Sequence, residues 1–261
     1  MATRTSHQAH HHRNAPRHGG DVSRSYEELA RATTPMGDVV LRRRLEPTTQ
    51  IDVFEVMLGG DGLMSSLFTD GEEALARLGL DAVTNDTIDV VVGGLGLGHT
   101  ARTALHDPRV RSLHVVDTLE AVIDWHHQHL TPLGAELTND PRCRLVHGDF
   151  FALVDHDPPM LQPSAPRQYD AILVDIDHSP RHLLDPSHAG LYTPTGLRRL
   201  GQHLRPHGVF ALWSNDPPDA DFLADLHTCF DHAEAHIVSF WNFLIGDNTH
   251  STIYVAEGPP P

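Results

Sequence analysis

From residue 87 onward the chain alternates between two hydrophobic periods. TIDVVVGG (87–94) is an apolar, β-branched run, the pattern of a strand covered on both faces. HTARTALH then spaces its apolar residues as a helix does, and SLHVVDT (112–118) returns to a strand. LEAVIDWHHQHL turns helical again, with Leu119, Val122 and Ile123 on neighbouring turns. RCRLVHGD (142–149), DAILVDID (170–177) and GVFALWSND (208–216) predict three further strands, and GLRRLGQHL and DADFLADLHTCF predict helices on either side of the last. AEAHIVSF and STIYVAEG close the pattern as two strands whose link is too short for a helix, so they should pair antiparallel. Strands alternating with helices predict an α/β fold: a Rossmann-like parallel sheet with helices on both faces, ending in an antiparallel hairpin.

The front of the chain reads differently. VVLRRRLE and IDVFEVMLGGDGLMSS are short β-type runs broken at Gly59-Gly60-Asp61-Gly62, a hairpin signal, so residues 36–66 predict a small N-terminal β appendage. GEEALARLGL follows as a helix with Leu75, Leu78 and Leu80 inward. Three segments result: a His/Arg-rich disordered tail over 1–21, the appendage and its helix over 22–84, and a nucleoside-binding α/β domain over 85–261.

Composition narrows the chemistry. All 19 basic residues are Arg against 35 acids, a net charge of −16, which removes lysine bases, Schiff-base lysines and phosphate-loop lysines. Such a balance argues against a nucleic-acid partner and suits small neutral or cationic ligands. No apolar run approaches the ~20 residues of a membrane span, and the tail has no apolar signal core, so the expected setting is cytoplasmic, with no membrane partner. Cys143 and Cys229 form no disulfide framework and no metal-ligand spacing. His126, His127 and His129 read as a solvated helix face, and no metal is expected there.

Candidate site residues collect at strand ends. Gly93, Gly94, Gly96 and Gly98 lie where the first strand of the sheet meets its helix, where the backbone can approach a ligand closely. Asp117 ends the next strand, 23 positions after Gly94, near the spacing of about 20 expected for a carboxylate on ribose hydroxyls. Asp149 ends the third strand in HGDF, suited to an adenine amino group. A helix cap or turn competes for each of these taken singly. Gly96 to Ala101 also fits G-x-G-x-x-A, but no second mononucleotide-binding half follows, so S-adenosylmethionine or a relative fits better than a nicotinamide cofactor.

VVVGGLGLG, HVVDTLEAVIDW, DPRCRLVHGDF, YDAILVDIDHSP and LRPHGVFALWSND together resemble the spermidine synthase-like branch of the class I adenosylmethionine-dependent methyltransferase fold, over roughly residues 36–258. The resemblance implies a sulfonium donor, S-adenosylmethionine or decarboxylated S-adenosylmethionine. It further implies alkyl transfer to a small amine acceptor, and a homodimer. It assigns Asp175 as the base that deprotonates the attacking amine and places Asp177 and His178 at the substrate. The family's second acid falls at His178, its glycine-loop acid is absent from GGLGLG, and its second carboxylate after the second strand is Leu119.

The acceptor end is less legible. Asp175 and Asp177 are two apart, so a continuing strand would point them to opposite faces, and Asp175 is the one expected to face the sulfonium. Asp216 in SNDPP reads as a turn, and Trp213 and Trp241, at strand positions, as core packing. The reading is a transferase moving an aminopropyl or methyl group. The rivals are a plain small-molecule methyltransferase, a non-catalytic nucleoside-binding protein and a nicotinamide oxidoreductase.

Overall fold

The computed structural model describes residues 26–156 and 168–259; the tail expected over 1–21 lies outside them. Two sheets organise the chain. β1 (Glu27–Thr34), β2 (Gly37–Leu45), β3 (Asp52–Leu58) and β4 (Asp61–Ser65) form an antiparallel sheet in sequential order. The β3–β4 turn falls at Gly59-Gly60, both at positive φ, as the hairpin signal predicts. β1 was not anticipated, because EELARATT has no apolar alternation. It is held by its ladder to β2 and by ion pairs such as Arg43 to Glu27 at 2.6 Å.

The second sheet has seven strands: β5 (Ile88–Gly93), β6 (Val110–Asp117), β7 (Cys143–His147), β8 (Tyr169–Val174), β9 (Leu204–Ser214), β10 (His232–Asn242) and β11 (Asp247–Glu257). Their spatial order is β10-β11-β9-β8-β5-β6-β7. β5 to β9 are parallel, and β11 enters antiparallel between β9 and β10. The expected closing hairpin is therefore present. Every residue of β5 and β8 is buried, which explains their continuous apolar runs.

Helices cover both faces. α1 (Asp70–Asp81), α2 (His99–Leu105), α3 (Glu120–His127) and α4 (Gly134–Asn139) bury one apolar layer, and α5 (Phe150–Val154), α6 (Pro194–Gly201) and α7 (Ala220–Cys229) bury the other. The alternation along β5 shows the split: Val90 and Val92 join the first layer and Val91 the second. α1 packs across β8, β9 and β11, which carries its first turn to the mouth of the large sheet. Val39, Leu41 and Val56 of the small sheet share the first core layer. His126 is fully buried, with Nδ1 2.9 Å from the Val122 carbonyl, so it is not on a solvated face. Trp241 is 60% exposed and not core.

At the amino-terminal edge of the parallel strands, Arg205 pairs with both Asp89 and Asp170, and Arg111 also pairs with Asp89. Burial alone would raise the Asp89 carboxyl, but the two guanidinium partners outweigh it and hold it at about 2. This cluster ties β5, β6, β8 and β9 together on the side away from the site.

Candidate active site

The strand order reverses at β5, whose neighbours are β8 on one side and β6 on the other. Ligands of open α/β sheets bind outside the carboxyl ends of the strands at such a reversal. A cavity of about 390 Å³ opens there. Along its floor, from one side to the other, stand Trp213 near the end of β9, Asp175 after β8, the glycine loop after β5, Asp117 at the end of β6 and Asp149 after β7. Met36, Leu63 and Met64 of the small sheet, Phe68 and Glu72 close it from above.

The glycines serve distinct purposes. Gly94, at φ +97°, lies so close to β8 that a Cβ would overlap the Asp175 carbonyl oxygen; Gly96, at φ +54°, would press one onto Met64 Sδ at 2.7 Å. Gly93 is buried under the Phe150 ring, 2.9 Å from where its Cβ would be, and Gly98 caps α2 against Leu137. Gly94, Gly96 and Gly98 line the cavity, whereas Gly93 supports it from below.

The two carboxylates expected at the nucleoside are already occupied by backbone. Asp117 accepts from Leu95 N at 2.9 Å and Leu119 N at 2.7 Å, so it ties the glycine loop to the start of α3. Burial raises its pKa, and the backbone N–H donors oppose that. Asp149 caps α5, accepting from Phe151 N at 3.0 Å and Ala152 N at 3.2 Å, and is exposed at the cavity rim. Its local geometry is that of a helix N-cap. A carboxylate has about four lone-pair sites, so either residue retains acceptor capacity toward a ligand.

At the other end, Asp175 lines the cavity with Oδ2 2.7 Å from the Thr100 hydroxyl, which donates. Burial pushes its pKa up to about 6, with the Thr100 bond acting in the opposite sense. Glu72 joins it from the first turn of α1 and its carboxyl is raised further, first by burial and then by the Asp175 charge. Asp177, placed at the substrate by resemblance, does not line the cavity. It is 1% exposed, and its oxygens accept from Leu184 N at 2.7 Å, Tyr192 OH at 2.8 Å and His188 Nδ1 at 2.8 Å. Those three donors approach the carboxylate from the loop side, so in this structure it positions the 184–192 segment. His188, held this way, stacks on Phe151 with ring centroids 3.7 Å apart and enters the cavity wall. His178 is exposed at the rim. Asp216 accepts from the His182 ring at 2.7 Å and stays outside.

Four contributors were not singled out from sequence: Glu72, His99, Thr100 and His188. Glu72 left a signal. Three and four positions on lie Leu75 and Ala76, both buried, so this acid sits on the apolar face of its helix, whereas neighbouring Glu73 pairs with Arg77 and Arg102. His99 lines the cavity with neither ring nitrogen bonded among the described residues; burial and then the Arg102 charge lower its pKa to about 4, so it is neutral. Trp213 packs against the first apolar layer, as expected, and also lines the cavity, its indole lying against Gly71, where a Cβ would overlap the ring nitrogen.

Strand order and the glycine loop define an α/β fold of the class I methyltransferase type. The spermine/spermidine synthase domain model matches residues 70–226, more than half of the chain, and the protein belongs to that family. The chain is 28% identical over 176 residues to polyamine aminopropyltransferase 2 of Pseudomonas aeruginosa, covering 61% of this chain and 46% of the relative. It is 32% identical over 130 residues to the polyamine aminopropyltransferase of Prochlorococcus marinus, covering 49% and 40%. It thus spans less than half the length of these curated relatives. Among solved structures it resembles the spermidine synthase of Thermotoga maritima, with TM-score 0.66 and 18% identity over 88% of this chain and 72% of that one. It also resembles a spermidine synthase bound to the transition-state analogue AdoDATO, with TM-score 0.67 and 17% identity over 88% and 73%. At these identities the structural likeness carries the fold.

Proposed function

We propose that the protein transfers an aminopropyl group from decarboxylated S-adenosylmethionine to a small amine. The observation that carries the reading is Asp175: a half-buried carboxylate at the reversal point, facing a cavity that no Arg lines among the described residues. In the proposed reaction the acceptor nitrogen attacks the aminopropyl carbon bonded to sulfur. The carbon–sulfur bond breaks, its electron pair returns to sulfur, and neutral 5′-methylthioadenosine leaves. The proton lost by nitrogen passes to Asp175. A carboxylate with its pKa raised to about 6 is still ionised near neutral pH, yet is a better proton acceptor than an ordinary one. Asp117 and Asp149 would hold the ribose and the adenine, His178 would stand at the acceptor entrance, and in-line positioning would supply most of the acceleration. Family membership and the two curated relatives favour aminopropyl over methyl as the transferred group.

The rival to exclude is methyl transfer from S-adenosylmethionine, whose ammonium and carboxylate would both need partners at the glycine loop. Parallel assays separate the two. The expected result is 5′-methylthioadenosine release from decarboxylated S-adenosylmethionine, dependent on an amine. Amine-dependent S-adenosylhomocysteine formation from S-adenosylmethionine, with no aminopropyl transfer, would overturn the first reading.

A further inference from the structure

Asp175 is held from two sides. Its backbone N–H donates to the Gly93 carbonyl at 2.8 Å, continuing the β5–β8 ladder. Its side chain is met by α2: Thr100, the second residue of that helix, donates its hydroxyl to Oδ2 at 2.7 Å. The approach depends on the glycine loop. Gly94 runs against the Asp175 carbonyl, and Gly98, at φ +91°, turns the chain into α2 immediately before His99 and Thr100. Thr100 is 3% exposed and does not line the cavity, so any effect it has on the site passes through Asp175.

A helical Thr hydroxyl ordinarily returns to a carbonyl of the preceding turn. This one leaves its own helix. Its single proton has two acceptors within reach, the Asp175 carboxylate at 2.7 Å and the Glu72 carbonyl at 3.4 Å, and the shorter, charge-assisted bond is the stronger. Oδ1 of Asp175 has no partner among the described residues. The two oxygens of the carboxylate are therefore unequal: one is held by the protein and the other is open to a proton.

We propose that Thr100 is the positioning residue of the base: its hydroxyl fixes the Asp175 carboxylate by Oδ2 and leaves Oδ1 to take the proton of the attacking nitrogen. This rests on the transferase reading, in which the N–H bond electrons stay on nitrogen as the proton bonds to Oδ1. The hydroxyl also stabilises the ionised carboxylate, against the burial that raises it. Once Asp175 is protonated it attracts the hydroxyl less, and the Glu72 carbonyl remains as a second acceptor, so the hydroxyl is satisfied before and after transfer. The other titratable groups around Asp175 are Glu72 from α1, His99 from α2 and His178 from its own loop. Asp117 and Asp149 lie past the glycine loop, and Asp185 and His188 on the 184–192 wall. Glu72 keeps its proton up to about pH 8 and His99 loses its own near about pH 4, so both are neutral while Asp175 titrates.

The titration of Asp175 in the full-length protein tests this, followed by NMR of carbon-13-labelled aspartate carboxyls, with the Asp175 signal assigned by its loss in Asp175→Asn. Thr100→Val keeps the branched shape without the hydroxyl and should raise the Asp175 midpoint by about one pH unit, whereas Thr100→Ser should leave it within about 0.3 unit. Release of 5′-methylthioadenosine from decarboxylated S-adenosylmethionine, with 1,4-diaminobutane as the amine, should follow. Thr100→Val should lose about fivefold in kcat at pH 6 and stay within about threefold at pH 8, with KM for the donor unchanged. Should Thr100→Val fail to fold, Thr100→Ala carries the same expectation. A midpoint that does not move when the hydroxyl is removed, or a Ser variant that shifts as far as Val, overturns the assignment. Failure of the broader reading looks different: the midpoint moves with the hydroxyl, yet Asp175→Asn leaves the rate unchanged or no 5′-methylthioadenosine is formed.

Discussion

The two ends of the cavity solve opposite problems with the same functional group. At the β6–β7 end, Asp117 and Asp149 are each bonded to two backbone N–H groups, so their orientation is set before any ligand arrives. Such carboxylates suit hydroxyl and amino donors of a neutral nucleoside, which need geometry more than charge. At the β8–β9 end, Asp175 has one hydroxyl donor and Glu72 only its own N–H. Both are held above the ordinary carboxylate range by burial, and Glu72 also by Asp175 itself. Among the described residues, no cation of the protein faces that end. Pre-satisfied carboxylates recognise shape, and unsatisfied ones recognise charge.

The contrast is open to direct tests. Asp175→Asn keeps the volume and the Thr100 neighbourhood but removes the proposed base. Steady-state turnover should fall by about 10²–10⁴-fold, with 5′-methylthioadenosine affinity within a few fold of wild type by calorimetry. An unchanged rate would remove Asp175 from the chemistry. Gly94→Ala should damage both ends at once, because its Cβ meets the Asp175 backbone and its φ is +97°. Thermal or urea unfolding should show a loss of about 2–4 kcal/mol, with nucleoside binding lost as well.

Glu72→Gln should do the reverse to stability. The folded pKa of Glu72 is raised from 4.5 to about 8, so the folded state holds a proton that the unfolded state has released between those values. Stability from this group is therefore greatest at low pH and declines as pH rises from about 4.5 to about 8. The Gln variant should match wild type in urea unfolding at pH 5 and exceed it by about 1–2 kcal/mol at pH 8, after solvent screening. A variant less stable than wild type at both pH values would contradict an uncompensated acid. At the nucleoside end, Asp149→Ala should cost about 1 kcal/mol, as the loss of a helix cap, read from the melting temperature.

The same division explains what the sequence could show. Buried strands announce themselves because both faces are covered, as in IDVVVG and YDAILV. Glycines and strand-end acids are legible because their spacing follows from local strand–loop–helix geometry. β1 was hidden because its stabilising contacts are a ladder to β2 and exposed ion pairs, neither of which imposes an apolar period. α5 is five residues long, below any readable helical repeat. Glu72 and Asp177 take their roles from partners distant in sequence or on an aperiodic loop. No local pattern reveals that one acid has only its own N–H and the other has three donors.

Asp177 has a consequence for how the wall on its side behaves. Leu184 N, His188 Nδ1 and the Tyr192 hydroxyl all converge on one buried carboxylate. Because one carboxylate accepts all three, Asp177→Asn should loosen Leu184, His188 and Tyr192 together, and hydrogen exchange at the Leu184 amide should rise along with loss of the His188–Phe151 stack.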